Sequence, residues 1–147
     1  MASEENDQGR IVVGVDGSPS SQRALDWALG QAKTTGAKVE AVQAWQIPAA
    51  YGAAVIMLPG EEFENAARES LNNAIEQALS AHPGVEVERY ALEAHPAKAL
   101  LDRAEDADLL VLGSRGHGGF VGALIGSVSQ HCINHAKCPV VVVRADT

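Results

Sequence analysis

The sequence predicts an α/β fold in which helices cover both faces of a mainly parallel sheet, a three-layer α/β/α arrangement, and three observations carry that reading. Short, almost unbroken apolar runs recur, among them "RIVVGV", "ADLLVLG" and "PVVVV", as the doubly buried strands of parallel sheets require. Between them lie stretches with apolar residues at helical spacing, giving the order β-α-β-α-β-α-β-α-β and right-handed crossovers. The apolar fraction is 46% while aromatics make up 4% of 147 residues, so the core is expected to be built from Val, Leu, Ile and Ala within one domain. Residues 1–9 read as a flexible polar tail and 10–147 as that domain.

Each element has its own signal. "RIVVGVDGS" is a strand through Ile11, Val12, Val13 and Val15 that ends in a turn. Ser18 suits an N-cap and Pro19 the first helical position; Ala24, Ala28 and Ala32, flanked by Leu25 and Leu29, form a stripe that stops at Gly36. "KVEAVQAWQI" gives a buried strand on Val39, Ala41 and Val42, ending near Ala44 or Trp45, and "PAAYGAAVIMLPG" has the composition of a loop. Phe63, Ala67, Leu71, Ala74 or Ile75, and Ala78 lie on one face of a second helix from Glu61, with acids opposite. "HPGVEVERYAL" alternates Val85, Val87 and Tyr90 with charges, as an edge strand does. Pro96 opens a third helix that turns Ala99, Leu100 and Ala104 inward, "ADLLVLG" is a buried strand, "SVSQHCINHAKC" a fourth helix and "PVVVVR" the last strand.

Charge bears on partners. Nineteen acids against eleven bases leave a formal charge of -8 with no Lys/Arg block, which disfavours nucleic acid and anionic membrane surfaces as partners. The opening "MASEENDQGR" lacks the basic and apolar regions of a secretion signal, and no apolar run reaches the length of a membrane span, so a soluble cytoplasmic protein is expected. Cys132 and Cys138 are too few for a disulfide scaffold and lack zinc-site spacing; they read as structural thiols in or beside the core.

Parallel sheets present their ligand crevice beyond the carboxyl ends of the strands. That rule singles out two loops, "GVDGS" after the first strand and "GSRGHGG" after the fourth. Neither contains the lysine of a GxxxxGK[ST] loop, and the amino-terminal turn is no GxGxxG fingerprint. A weaker physical reading survives. Successive N–H groups at Gly116, His117 and Gly118 could form an anion nest, and a helix starting near Gly126 and Ser127 could aim its positive end at the same phosphates, with the Ser127 and Ser129 hydroxyls as further donors. A tight strand-to-helix turn followed by a surface loop explains the same glycines without a ligand.

Gly113, Gly116, Gly126 and Ser127 occupy every fixed position of G-x2-G-x9-G-[ST], and the segment resembles the ATP-binding motif of the universal stress protein family. The resemblance extends to "RIVVGVDGSPSSQRALDWAL", "EAHPAKALLDRAEDADLLVLGSRGHGG" and "SVSQHCINHAKCPVVVVR". It implies a Rossmann-like, five-stranded parallel sheet in the order 3-2-1-4-5, ATP as ligand, and usually a homodimer formed partly through the last strand; Mg2+ could accompany ATP, but no cluster of carboxylates at ligand spacing marks a protein-built metal site. Carried over by position, Asp16 would accept from ribose hydroxyls, with Gly14 and Val15 shaping the backbone around it, and Ala44 would meet the adenine. Gly113, Arg115, Gly116, His117 and Gly118 would line the phosphate path; Gly126, Ser127, Val128 and Ser129 would present donors to it. Each assignment has a plainer counterpart: Asp16 as a cap for the helix at Pro19, Arg115 turned outward or toward a neighbouring subunit, His117 acting through its main chain or as a base. Ala94 stands where the family commonly has glycine, which bears only on a local turn.

Together these features predict an ATP-binding regulatory or stress-response protein whose occupancy controls conformation or assembly and is read by a protein partner. Lysine and acid are both missing from the glycine segment, so ATP hydrolysis is expected to be weak at most. A ligand-independent dimeric interaction module is the other reading, and the exposed "PVVVV" edge favours self-association under either.

Overall fold

The structure is a computed structural model and describes residues 8–47, 59–115 and 125–145. Its strands are β1 (Arg10–Gly14), β2 (Lys38–Trp45), β3 (Val87–Glu93), β4 (Leu109–Gly113) and β5 (Val140–Val143). All pair in parallel, in the order β3-β2-β1-β4-β5. Ile11 of β1 stands opposite Val39 of β2 and Leu109 of β4, so the first strand is central and β3 and β5 are the edges. Helices α1 (Pro19–Thr35), α2 (Pro59–Ala81), α3 (Pro96–Arg103) and α4 (Ser127–His135) supply the connections. The expected strand order and element order both hold.

Alternation along the strands splits the core into two layers. On one face Ile11, Val13 and Val15 pack with the Ala24, Leu25, Ala28 and Leu29 stripe of α1 and with Leu71 and Ile75 of α2. On the other, Val12, Val42, Leu110 and Leu112 pack with Ala97, Ala99 and Leu100 of α3 and Cys132 of α4. The caps of α1 follow their local chemistry: the Ser18 hydroxyl accepts from the Ser21 N–H, Pro19 is at the first turn, and Gly36 closes the helix at φ +81° with its N–H on the Ala32 carbonyl. Among the described residues, no helix is long and apolar enough to cross a membrane.

Several boundaries differ from expectation: β1 ends at Gly14 rather than Val15, α3 ends at Arg103 with Ala104 as its C-cap, and α4 ends at His135 rather than reaching Cys138. Helix α2 begins at Pro59 rather than Glu61. Val85 lies ahead of β3 and packs at the margin of the core, while the strand itself, an edge strand, buries none of its residues fully. Residues 1–7 of the expected tail and residues 48–58 of the expected loop lie outside the described residues. Gly9, at the end of that tail, already joins the sheet through its carbonyl, which accepts from the Lys38 N–H at 2.9 Å.

Both cysteines stand where the sequence placed them, in or beside the core. Cys132 is buried and Cys138 half-buried, and neither is paired. Burial pushes the Cys132 thiol up to about 11 and raises that of Cys138, which keeps both protonated and poorly nucleophilic at neutral pH. A thiol-specific chromogenic reagent is accordingly expected to modify Cys132 only after denaturation; rapid reaction of both thiols in the folded chain would contradict this packing.

One polar cluster sits on the same face as α3. Glu40 of β2, only 3% exposed, binds Arg10 Nη1 at 3.0 Å and Arg103 Nη2 at 2.9 Å through one carboxylate oxygen, with Lys38 Nζ 3.9 Å from the other. The Arg103 guanidinium lies 3.9 Å over the Tyr90 ring. This cluster ties the carboxyl end of α3 to β1, β2 and β3.

Candidate functional site

Beyond the carboxyl ends of β1 and β4, which are neighbours in the sheet, the chain leaves a cleft of about 280 Å³. Its first wall is the turn from β1 into α1. Val15 extends the β1 ladder by donating to the Val42 carbonyl at 2.8 Å, and Gly17, at φ +81°, reverses the chain. Asp16 is exposed at this wall, and one of its carboxylate oxygens accepts from the Ser18 N–H at 2.8 Å. That bond is an Asx turn, while the cap of α1 is Ser18. Asp16 therefore steadies the turn that leads to the helix and also lines the cleft.

The first turn of α1 holds the start of the glycine segment. The Ser20 hydroxyl donates to the Arg115 carbonyl and accepts from the Arg115 N–H, and the Ser18 hydroxyl reaches the same carbonyl at 3.3 Å. These contacts require Gly113 to lack a side chain: a Cβ there would stand 2.5 Å from Ser20 Oγ and 2.7 Å from both the Ser20 carbonyl carbon and the Ser21 nitrogen. Gly113 lines the cleft, yet its glycine is explained by the approach of α1 to β4.

The far end of the segment is tied to the near end. The Gly126 N–H donates to the Ser114 carbonyl and the Ser129 hydroxyl to the Gly113 carbonyl, both at 2.6 Å, while the Ser114 N–H donates to Val143 of β5 at 2.8 Å. Ser129 thus gives its hydroxyl proton to β4 rather than presenting it to the cleft. Gly126 is the N-cap of α4 and offers no side-chain acceptor, so the first-turn N–H groups at Ser127, Val128 and Ser129 are left to an acceptor from outside the helix. Those four residues line the cleft together with Gly14, Val15, Asp16, Ala44, Gly113 and Arg115. Gly116, His117 and Gly118 fall outside the described residues.

Five lining residues escaped the sequence reading: Ser21, Val42, Pro96, Leu100 and Leu112. Val42 was legible in principle, because it lies two residues before Ala44 and so shares its face of the strand. Leu100 and Pro96 come from α3, whose position over the sheet no local pattern reveals. Val42, Ala44, Pro96, Leu100 and Leu112 make one side of the cleft apolar, and among the described lining residues the charged side chains are Asp16 and Arg115. The cleft therefore offers an apolar slot beside a rim of backbone donors and one guanidinium. That combination suits a flat, weakly polar ring carrying an anionic tail.

Known proteins share this architecture. A family model described as "Universal stress protein family" matches residues 9–144. A universal stress protein of Mycobacterium tuberculosis is 36% identical over 137 residues, covering 91% of this chain but 45% of its own length; the chain spans about half the length of the curated relatives it matches. Among solved structures, universal stress protein UspA from Lactobacillus plantarum superposes with a TM-score of 0.80 at 24% identity, covering 92% of this chain and 97% of that one. A universal stress protein in complex with cAMP gives 0.70 at 30% identity, covering 95% and 98%. With the sheet order, the cleft between the first and fourth strands and a family match over nearly its whole length, the chain belongs to the universal stress protein family.

Proposed function

We propose that this chain binds an adenine nucleotide, ATP foremost, and works as a cytoplasmic regulatory or stress-response protein whose occupancy controls its conformation or assembly. The observation that carries the reading is the single cleft in which the uncapped start of α4 faces the same space as the β1–α1 turn and the apolar wall from Val42 to Leu112. Adenine lies against Val42, Ala44 and Leu100, the ribose meets Asp16, and the phosphates take the N–H groups at Ser127, Val128 and Ser129 beside the Arg115 side chain. The solved relative at 30% identity that carries cAMP supports an adenine nucleotide in this fold.

Mg2+ fits this donor set only as a companion of the phosphates. Asp16 is the carboxylate among the described cleft residues, one of its oxygens is already bonded to Ser18, and no group of three His, Cys, Asp or Glu side chains converges among the described residues. ATP and water would supply most of its ligands. The residues here bind and orient; turnover is slow at most.

The test is calorimetric titration of nucleotide-stripped protein with ATP and Mg2+, with AMP and cAMP as separate arms, beside a Ser127→Ala or Gly116→Ala variant. Saturable binding that weakens several-fold in the variants is expected, and no heat at millimolar nucleotide would sink the proposal. A second reading has its own observation: β5 is an edge strand of four half-buried valines, a surface that suits pairing with a second copy. Sedimentation with and without ATP separates a nucleotide-controlled dimer from a dimer indifferent to nucleotide.

A further inference from the structure

Helix α4 carries a second chemistry at its other end. His131 and His135 are four residues apart on one face, both exposed, and their ring centres lie 4.5 Å apart with planes tilted by 39°. We propose that this pair is a chelating site for a divalent transition-metal ion of the imidazole-binding class, with water completing the coordination shell.

The spacing itself carries the argument. An imidazole nitrogen binds such an ion at about 2.0–2.1 Å and lies about 1.1 Å from its ring centre, so each ring centre sits about 3.2 Å from the metal. Two such arms at a right angle place the ring centres about 4.5 Å apart, and at a tetrahedral angle about 5.2 Å. With one nitrogen of each exposed ring turned toward a shared ion, the observed 4.5 Å is the spacing of the right-angled case, the cis angle of tetragonal Cu2+ and octahedral Ni2+. Position adds to it: His135 is the last residue of α4, and the carboxyl end of a helix favours a cation. The chain's formal charge of -8 acts in the same direction. Cys132, between the two histidines in sequence, is buried in the core and does not compete.

Ni2+ alone is the probe, titrated calorimetrically into the full chain near neutral pH. One ion per chain is expected, with affinity falling at least about tenfold in His131→Ala and in His135→Ala. A spacing control keeps the histidine count but separates the rings: His135→Ala combined with Ile133→His, at a position 38% exposed, puts the second imidazole on a different face of the helix. It is expected to bind as weakly as the single variants. Every substituted position is exposed, so the fold is retained and loss of affinity reports the site. Absence of binding in the unaltered chain, a loss below about threefold in either alanine variant, or undiminished affinity in the spacing control overturns the proposal. None of these outcomes depends on nucleotide.

Discussion

Gly113→Ala is expected to lower the free energy of unfolding by about 3 kcal/mol, read as a lower urea midpoint at unchanged slope. A methyl group there meets two backbone atoms of α1 at 2.7 Å and Ser20 Oγ at 2.5 Å. The hydroxyl can rotate away, but only by giving up both of its bonds to Arg115; the backbone atoms cannot yield unless α1 moves off β4. Gly14→Ala is the informative contrast. Its Cβ would meet Leu100 and Leu112 at 3.1–3.2 Å, all at the ends of flexible side chains, so it is expected to cost about 1 kcal/mol or less while intruding on the apolar wall of the cleft. A Gly113→Ala midpoint equal to that of the unaltered chain would show that the contact between α1 and β4 is far looser than described.

That glycine also marks where sequence reasoning stopped. Motif spacing assigned Gly113 to the phosphate path, because spacing records which residues recur and not what a Cβ would strike. Ser129 was expected to present a hydroxyl to phosphate, whereas the structure gives that hydroxyl to the Gly113 carbonyl. The local signals fared better. Ser18, Pro19 and Gly36 delimit α1 as their own backbone preferences dictate, since capping is settled within a few residues. Sheet order is different: periodicity established alternating strands and helices, but the order 3-2-1-4-5 came from the family resemblance. Glu40 was passed over inside an apolar run because its partners Arg10 and Arg103 lie 30 and 63 residues away. Pro96 and Leu100 of the apolar wall were missed for the same reason, with α3 arriving from a distant part of the chain.

Glu40 accordingly supplies the other large effect. Glu40→Gln is expected to destabilise the chain by about 2 kcal/mol. Gln keeps the shape but removes the charge that faces two guanidinium groups from a site 3% exposed. The full cost of breaking a buried pair runs to about 3–5 kcal/mol. Here Arg10 and Arg103 are 24% and 33% exposed, and water screens part of what they lose. Arg103→Met should cost less, about 1 kcal/mol plus the ring contact with Tyr90, because Glu40 retains Arg10 at 3.0 Å and Lys38 at 3.9 Å. In the double variant the two losses should not add, since each removes the same contact. Under the proposed function, nucleotide affinity gives a second readout. Arg103 ends the helix whose Pro96 and Leu100 line the cleft, so loosening the anchor is expected to weaken binding in both variants. Additive destabilisation across the double-mutant cycle would instead show that Glu40 and Arg103 act independently, and that α3 is held by its apolar face alone.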